Sequence, residues 1–360
     1  MNTPPPVRIG ALAPLSRPGW VEAGQHLLVG LELGVRDTNE SGGVDGRPLE
    51  LVVRDTAADP QRAAAAVDEL AEAGVTALVG EYHSVVARAA ANRADALGLP
   101  YLCSSSVIDV LTEQPTDLVA RLSPPQSVGW RVYAQHLLEQ GHRRIALATQ
   151  ASAYWAAGTV ILREHLARHG GDVTEIDMVA HTPATACDAV AAAGATALLL
   201  LAGHPEPALP LVTAVRADPR LAGLLVGAPA GQPELPSWEG ELGAGIPFLR
   251  YLPARLGPLG VRVERDLNEH LSGPPSFVAF EGYDSIAVLT EALRSHGTDR
   301  ARIAAAWPSL AVEGTRGLIR FSRAPGGTVW QWADAPVQVV DRDPAAPDCF
   351  RVLRSGGAVR

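Results

Sequence analysis

An acid, a phenol, an imidazole and a hydroxyl stand together in Gly80-Glu81-Tyr82-His83-Ser84. Nucleophilic hydrolysis is the first chemistry such a cluster suggests. It calls for a serine on a Gly-x-Ser-x-Gly elbow, and that motif is absent. His83 and Ser84 are adjacent, so their side chains point apart, and no third triad member is indicated. Metal chemistry is the second. His165 and His169 are four residues apart and share a helix face. The zinc-protease pattern needs Glu after the first His, but Leu166 stands there, and Arg163, Glu164 and Arg168 mark a solvated face. Cys103, Cys187 and Cys349 are far apart and form no C-x-x-C, so neither a zinc site nor a disulfide framework is expected. Gly42–Gly46 has no following Lys-Ser/Thr and precedes a strand, so it reads as a turn, not a phosphate cradle. No dinucleotide fingerprint follows Val7–Leu12. The expectation is no metal, no cofactor and no catalytic residue.

Ligand binding remains. The run Val75–Val79 reads as a strand, Gly80 as a sharp turn, and Val85–Leu97 as a helix. Free N–H groups and the dipole at a helix N-terminus favour a polar or negative oxygen. Ser84 therefore reads either as an ordinary N-cap or as a ligand contact, with Tyr82 beside it. Ser104, Ser105 and Ser106 follow the strand Gly98–Cys103. They can hold a ligand, cap a helix over Val107–Leu111, or do both. Tyr154 and Trp155 open a helix after the strand Arg144–Thr149, and an exposed Trp20 lies in the loop Ala13–Gly24. Cys103 and Gly203 complete the candidate set.

Positioning these residues takes a large α/β frame. Strand and helix patterns alternate from Val7 to Cys103, which implies a parallel sheet covered on both faces, with ligands at the carboxyl ends of its strands. A second alternating set runs from about Val128 to Gly227. Further on come a possible return strand at Gly243–Leu249, helices over Leu256–Leu271 and Ser276–His296, and antiparallel strands at Gly317–Phe321 and Val329–Trp332. Asp341–Asp348 reads as a turn and Phe350–Leu353 as a last strand. With 360 residues, two lobes are expected. A net charge of -9 argues against nucleic acid. No apolar run reaches the ~18 residues of a membrane span. The opening Met1-Asn2-Thr3-Pro4-Pro5-Pro6-Val7 lacks the pattern of a signal peptide, which points to the cytoplasm unless a leader has been removed.

The chain resembles the type I periplasmic-binding-protein superfamily, in its branched-chain amino-acid, urea and short-chain amide branch. Ile9-Gly10, Pro14-Leu15-Ser16, the run Asn39–Leu49, Asp55, Asp59-Pro60, Gly80, Ser84, Pro100-Tyr101, Ser105 and Gly170–Val173 carry the likeness. It implies two Rossmann-like lobes with parallel sheets and a three-strand hinge, closing like a Venus flytrap on a small polar ligand without catalysis. Lobe one would be 1–121 and 252–318, lobe two 122–251 and 319–360, with crossings near 120–124, 247–253 and 316–322. By the resemblance Ser84, Ser105 and Ser106 hold the ligand's carboxylate or amide, and Tyr154 serves from lobe two. The amide and urea branch has Gly-x-Tyr-x-Ser at the turn, which adds Tyr82. Amino-acid binders also carry an acid for the ammonium in a Gly-Pro-Glu-Gly-like loop, but Gly227-Ala228-Pro229-Ala230-Gly231 has none and Glu234 is out of register. The first expectation is therefore a cytoplasmic amide or urea sensor with a regulatory protein partner. The second is an ABC-transporter receptor for amino acids that serves a membrane permease. An amidohydrolase is the third.

Overall fold

Short apolar runs buried along most of their length become the central strands of a computed structural model that describes residues 5–238 and 240–356, while the strands Leu49–Asp55, Asp172–Asp177 and Ala346–Ser355 are largely half-buried or exposed. Residues 1–4, on which the leader reading partly rests, lie outside the described ones. In chain order come β1 (Val7–Ala13), α1 (Val21–Glu40), β2 (Leu49–Asp55), α2 (Pro60–Glu72), β3 (Ala77–Gly80), α3 (Ser84–Ala96), β4 (Tyr101–Cys103) and β5 (Val119–Arg121). Next are α4 (Gln126–Glu139), β6 (Arg144–Thr149), α5 (Ala153–Arg168), β7 (Asp172–Asp177), α6 (Pro183–Ala192), β8 (Ala197–Leu201), α7 (Ala208–Ala217), β9 (Leu225–Gly227) and β10 (Phe248–Arg250). Then follow α8 (Pro258–Asn268), α9 (Phe277–His296), α10 (Arg300–Ala306), β11 (Ala311–Gly314), β12 (Gly317–Ser322) and β13 (Trp330–Trp332), and the hairpin β14 (Gln338–Asp343) and β15 (Ala346–Ser355). The chain divides into unit 1, Met1–Pro125 with Arg255–Pro336, and unit 2, Gln126–Ala254 with Val337–Arg360.

Unit 1 is built on a sheet ordered β11-β12-β13-β5-β4-β3-β1-β2. It is parallel from β13 to β2, while β11, β12 and β13 pair antiparallel. Leu12 pairs with Gly80, Gly80 with Cys103, and Cys103 with Arg121, so four strands end at one level. The loops that leave those ends carry the unit 1 candidates. Leu12, Val67, Leu70, Leu78, Val86 and Ala90 form part of the core beneath α2 and α3. Asp59 starts α2 by accepting the Gln61 and Arg62 N–H groups, with Pro60 at the first helical position. The helices α1 and α9 pack closely because Gly30 carries no side chain: a Cβ there would lie 1.9 Å from the Ala279 carbonyl oxygen.

Unit 2 has a parallel sheet, β7-β6-β8-β9, and a second, antiparallel sheet, β10-β14-β15. Leu198, Leu200, Leu211, Val212 and Trp238 belong to its core under α6 and α7.

Several elements differ from the sequence reading. Residues 319–336 lie in unit 1, because β12 pairs with β11 and β13 lies alongside β5. The chain passes into unit 2 for the last time after Pro336, later than the expected 316–322. No helix forms over Val107–Leu111. Asp341–Asp343 belongs to β14, whose partner β15 begins at Ala346, so the turn is confined to a few residues. Unit 2's return strand covers only Phe248–Arg250. Among the described residues no helix is long and apolar enough to cross a membrane.

Candidate functional site

Gly80 makes the turn after β3 possible. Its φ is +115°, and a Cβ would sit 2.0 Å from the Leu12 carbonyl oxygen. Glu81 follows, with no exposed surface. One of its oxygens, Oε1, accepts the N–H groups of Tyr82 and His83, each at 2.8 Å, and the other accepts the Thr56 hydroxyl at 2.6 Å. Burial raises this carboxyl to about 7, against the pull of the Thr56, His83 and Tyr82 hydrogen bonds. Glu81 thus takes the Tyr82 and His83 N–H groups, which precede α3, and the first N–H groups of the helix itself have no side-chain cap. His83 takes the N-cap position and Ser84 is the first helical residue, so the N-cap reading of Ser84 fails.

Aromatic rings form a corner around this turn. Ring centroids lie 5.7 Å apart for Trp20 and Tyr82, 5.8 Å for Trp20 and His83, and 5.4 Å for Tyr82 and His83. The Trp20 N–H donates to His83 Nε2 at 3.1 Å. An imidazole that accepts there is neutral, and burial pulls His83 down to about 4. His83 is thus occupied by the backbone of Trp20. Trp20 itself is part-buried, not exposed as expected, because the Pro14–Trp20 loop is tied down by Asp55. Asp55 accepts Leu15 N–H at 2.8 Å, Ser16 N–H at 3.2 Å and the Ser16 hydroxyl at 2.5 Å. These bonds, with Ala57 N–H and the Arg62 charge, hold its carboxyl below the usual range despite burial.

Ser104, Ser105 and Ser106 leave the end of β4, and all are buried. The Ser105 hydroxyl donates to Ser104 Oγ at 3.1 Å. Ser106 Oγ is buried with no hydrogen-bond partner, an unspent donor and acceptor at the strand end. Cys103, by contrast, packs into the core with Val86 and Ala90, and burial pushes its thiol up. Behind the serines, Ser123 Oγ lies 2.9 Å from the Ser104 carbonyl oxygen and 2.6 Å from Glu281 Oε1. Unit 1 thus brings Trp20, Tyr82 and Ser84 to one loop pair and Ser105 and Ser106 to the adjacent strand end.

In unit 2, Tyr154 lies in the first turn of α5, where Ser152 caps by accepting the Trp155 N–H at 3.1 Å. Its ring packs 4.8 Å from Trp155 and edge-on at 5.8 Å to Trp130, and its carbonyl accepts Gln126 Nε2 at 3.1 Å. Burial raises the Tyr154 phenol. Gly203 follows the neighbouring strand β8, and its N–H donates to Gln150 Oε1 at 2.6 Å. Tyr154 and Gly203 therefore sit at the carboxyl ends of paired strands. Beyond β9, Gln232 Oε1 is buried without a hydrogen-bond partner. Glu234 is buried, with Oε1 2.7 Å from Arg250 Nε. Arg342, 1% exposed, donates to the carbonyls of Pro233, Glu234 and Leu235 and so shapes the loop. Among the described residues no group of three or more His, Cys, Asp or Glu could hold a metal.

A family model described as periplasmic binding protein matches residues 6–341. The chain belongs to the periplasmic binding protein family. Among curated relatives, Leu/Ile/Val-binding protein homolog 7 of Brucella melitensis is 30% identical over 140 residues, 39% of this chain and 34% of that protein. The Leu/Ile/Val-binding protein of Escherichia coli is 23% identical over 172 residues, 48% of this chain and 47% of that one. The matched stretches thus span about a third to a half of those relatives. Solved structures share the fold along nearly the whole chain. A leucine-binding protein from Thermotoga maritima has a TM-score of 0.82 at 21% identity, covering 97% of this chain and 98% of its own. A solute-binding protein of an ABC transporter from R. palustris, in complex with benzoate, has a TM-score of 0.80 at 18% identity, covering 97% and 96%. In this periplasmic binding protein the sequence reading quoted Glu81 and Asp55 without giving either a role, and it missed Glu281. Glu281 had a signal: with Asp284 it is one of two acids set between the apolar runs Phe277–Phe280 and Ile286–Leu289.

Proposed function

We propose that the chain is the substrate-binding component of an ABC-type transporter, and that it takes a small ligand bearing a carboxylate. The observation that carries the reading is the strand-end face of unit 1. There the uncapped start of α3 with Ser84 stands beside the buried, unpartnered Ser106 hydroxyl and the Trp20–Tyr82 rings. Helix N–H groups and hydroxyls suit a carboxylate, and the rings suit an apolar body. Ser84, Ser105 and Ser106 hold the oxygens, and Trp20 and Tyr82 pack on the remainder. Tyr154 is the first residue of unit 2 to test for a contact. Its partner is a membrane permease, and its place of action is outside the cytoplasmic membrane.

The names of the relatives favour this reading over an amide sensor. The Brucella and Escherichia proteins are called Leu/Ile/Val-binding, and the R. palustris structure holds benzoate. A carboxylate is common to those ligands; an ammonium is not. Thermal-shift screening against leucine, isoleucine, benzoate, acetamide and urea tests the choice, because a ligand that binds the folded state raises its apparent stability. Carboxylates raise the melting temperature on this account. A rise with acetamide or urea alone would restore the amide sensor. Recovery of the bound compound unchanged after long incubation separates a receptor from an amidohydrolase.

A further inference from the structure

Ser123 has one hydroxyl hydrogen and two acceptors within reach. Its Oγ lies 2.6 Å from Glu281 Oε1 and 2.9 Å from the Ser104 carbonyl oxygen, and Ser123 is fully buried. If Glu281 is ionised, the hydrogen goes to the carboxylate and the Ser104 carbonyl loses it. If Glu281 carries a proton, the acid donates to Ser123 Oγ and Ser123 donates to the Ser104 carbonyl, so both contacts are made. We propose that Glu281 is a positioning residue for the Ser104–Ser106 loop, its proton deciding through Ser123 whether the Ser104 carbonyl is held and how Ser105 is presented.

Charge balance supports the protonated form. Arg316 reaches Glu281 Oε1 at 3.1 Å and Asp284 Oδ2 at 2.8 Å, and all three side chains have no exposed surface. One guanidinium faces two carboxyl groups. Asp284 also accepts Thr315 N–H at 2.6 Å and the Thr315 hydroxyl at 2.8 Å, a donor set that suits a carboxylate. Glu281 is left with an Oε2 that has no hydrogen-bond partner, and a bare carboxylate oxygen in that setting is costly. Burial raises Glu281 to about 7, while Arg316 and the Ser105 and Ser123 hydroxyls pull it down and Asp284 pushes it up. The other charged or titratable groups on packed elements are Cys103 on β4 and Arg121 on β5, His26 on α1 against the start of α9, Glu81 after β3, and Arg262 on α8 with Asp37 on α1 around Tyr283. Arg300 of α10 is bonded to the Val75 carbonyl.

Amide hydrogen exchange of the peptide spanning Ser104–Ser106 tests this without any ligand. It is measured in the wild type, Glu281→Gln and Ser123→Ala, and corrected for the intrinsic pH dependence of exchange. Wild-type protection should fall about threefold or more from about pH 6 to about pH 8. Glu281→Gln, whose amide donates at every pH, should keep the higher protection throughout. Ser123→Ala should be poorly protected and indifferent to pH, and it decides the matter if the glutamine variant does not fold. A wild-type response without a pH step, or a step that survives in either variant, overturns the proposal. A second arm rests on the ligand reading above: the dissociation constant for isoleucine or benzoate should weaken over the same window in the wild type and stay level in Glu281→Gln. If neither probe binds the wild type, the ligand reading falls, and the exchange result still judges Glu281.

Discussion

Glu234 Oε1 lies 2.7 Å from Arg250 Nε, with the Glu234 side chain almost wholly buried. This pairing bears on the ligand. Glu234 is the acid nearest to the loop where an ammonium partner would be sought, and its charge is answered by Arg250. Glu234→Gln should therefore change leucine and benzoate affinities by less than about threefold, whereas an ammonium-holding acid would cost tenfold or more. Calorimetric titration distinguishes the two. Arg250→Ala should lower stability by roughly 3 kcal/mol, since it takes the Arg250 guanidinium away from a buried carboxylate. Urea denaturation measures that loss.

Gly80→Ala should destabilise unit 1 by at least about 2 kcal/mol, because positive φ and collision with a neighbouring carbonyl act together. The Cβ would lie 2.0 Å from the Leu12 oxygen, which is backbone and has little room to move. Equal denaturation midpoints for variant and wild type would contradict the turn geometry.

Glu81 makes stability depend on pH. Its folded value is raised from 4.5 to about 7, so the folded state holds the proton longer than the unfolded chain does. The stabilising contribution is full below about pH 4.5 and is lost as pH rises towards about 7. His26 and His83 act in the opposite sense. Burial lowers each from 6.5 to about 4, so stability from these two falls as pH drops below about 6.5. The opposed slopes mask one another in the wild type. Glu81→Gln removes one of them, so its stability relative to wild type should rise from about pH 5 to about pH 7, by at most roughly 3 kcal/mol. Denaturation at stepped pH checks the slope, and a flat difference would contradict it.

Trp20→Ala should weaken binding of a benzoate-type ligand by about tenfold and cost about 1 kcal/mol or more in stability through the lost ring contacts. Calorimetry and thermal melting report the two effects separately. Binding unchanged from wild type would remove the ring corner from the site.

The alternation of strands and helices was legible in the sequence because buried parallel strands are short apolar runs between amphipathic helices. So were the ends of β3 and β4, where Gly80 and the three serines punctuate the chain. What escaped depends on contacts between distant residues. Ser84 looked like a cap because the local pattern permits it, but α3 starts one residue earlier than that reading needs, with His83 at the N-cap position and Ser84 as the first helical residue. Val107–Leu111 has the residues for a helix, yet the Arg121 guanidinium takes the Ile108 carbonyl and the segment stays irregular. Asp341 looked like a turn residue, whereas pairing of β14 with β15 and the Arg351 side chain hold it in a strand. Trp20 looked exposed because nothing local says that Tyr82 and His83 will come against it.

In the proposed function, Ser84 and the strand-end hydroxyls of unit 1 hold a ligand carboxylate. Calorimetric titration of the wild type and Ser84→Ala with leucine, isoleucine and benzoate tests it most directly. At least one of these should bind the wild type, and Ser84→Ala should weaken it about tenfold or more while the melting temperature of the unliganded protein stays the same. Equal affinity in a folded Ser84→Ala variant, or a wild type that binds none of the three, would contradict it.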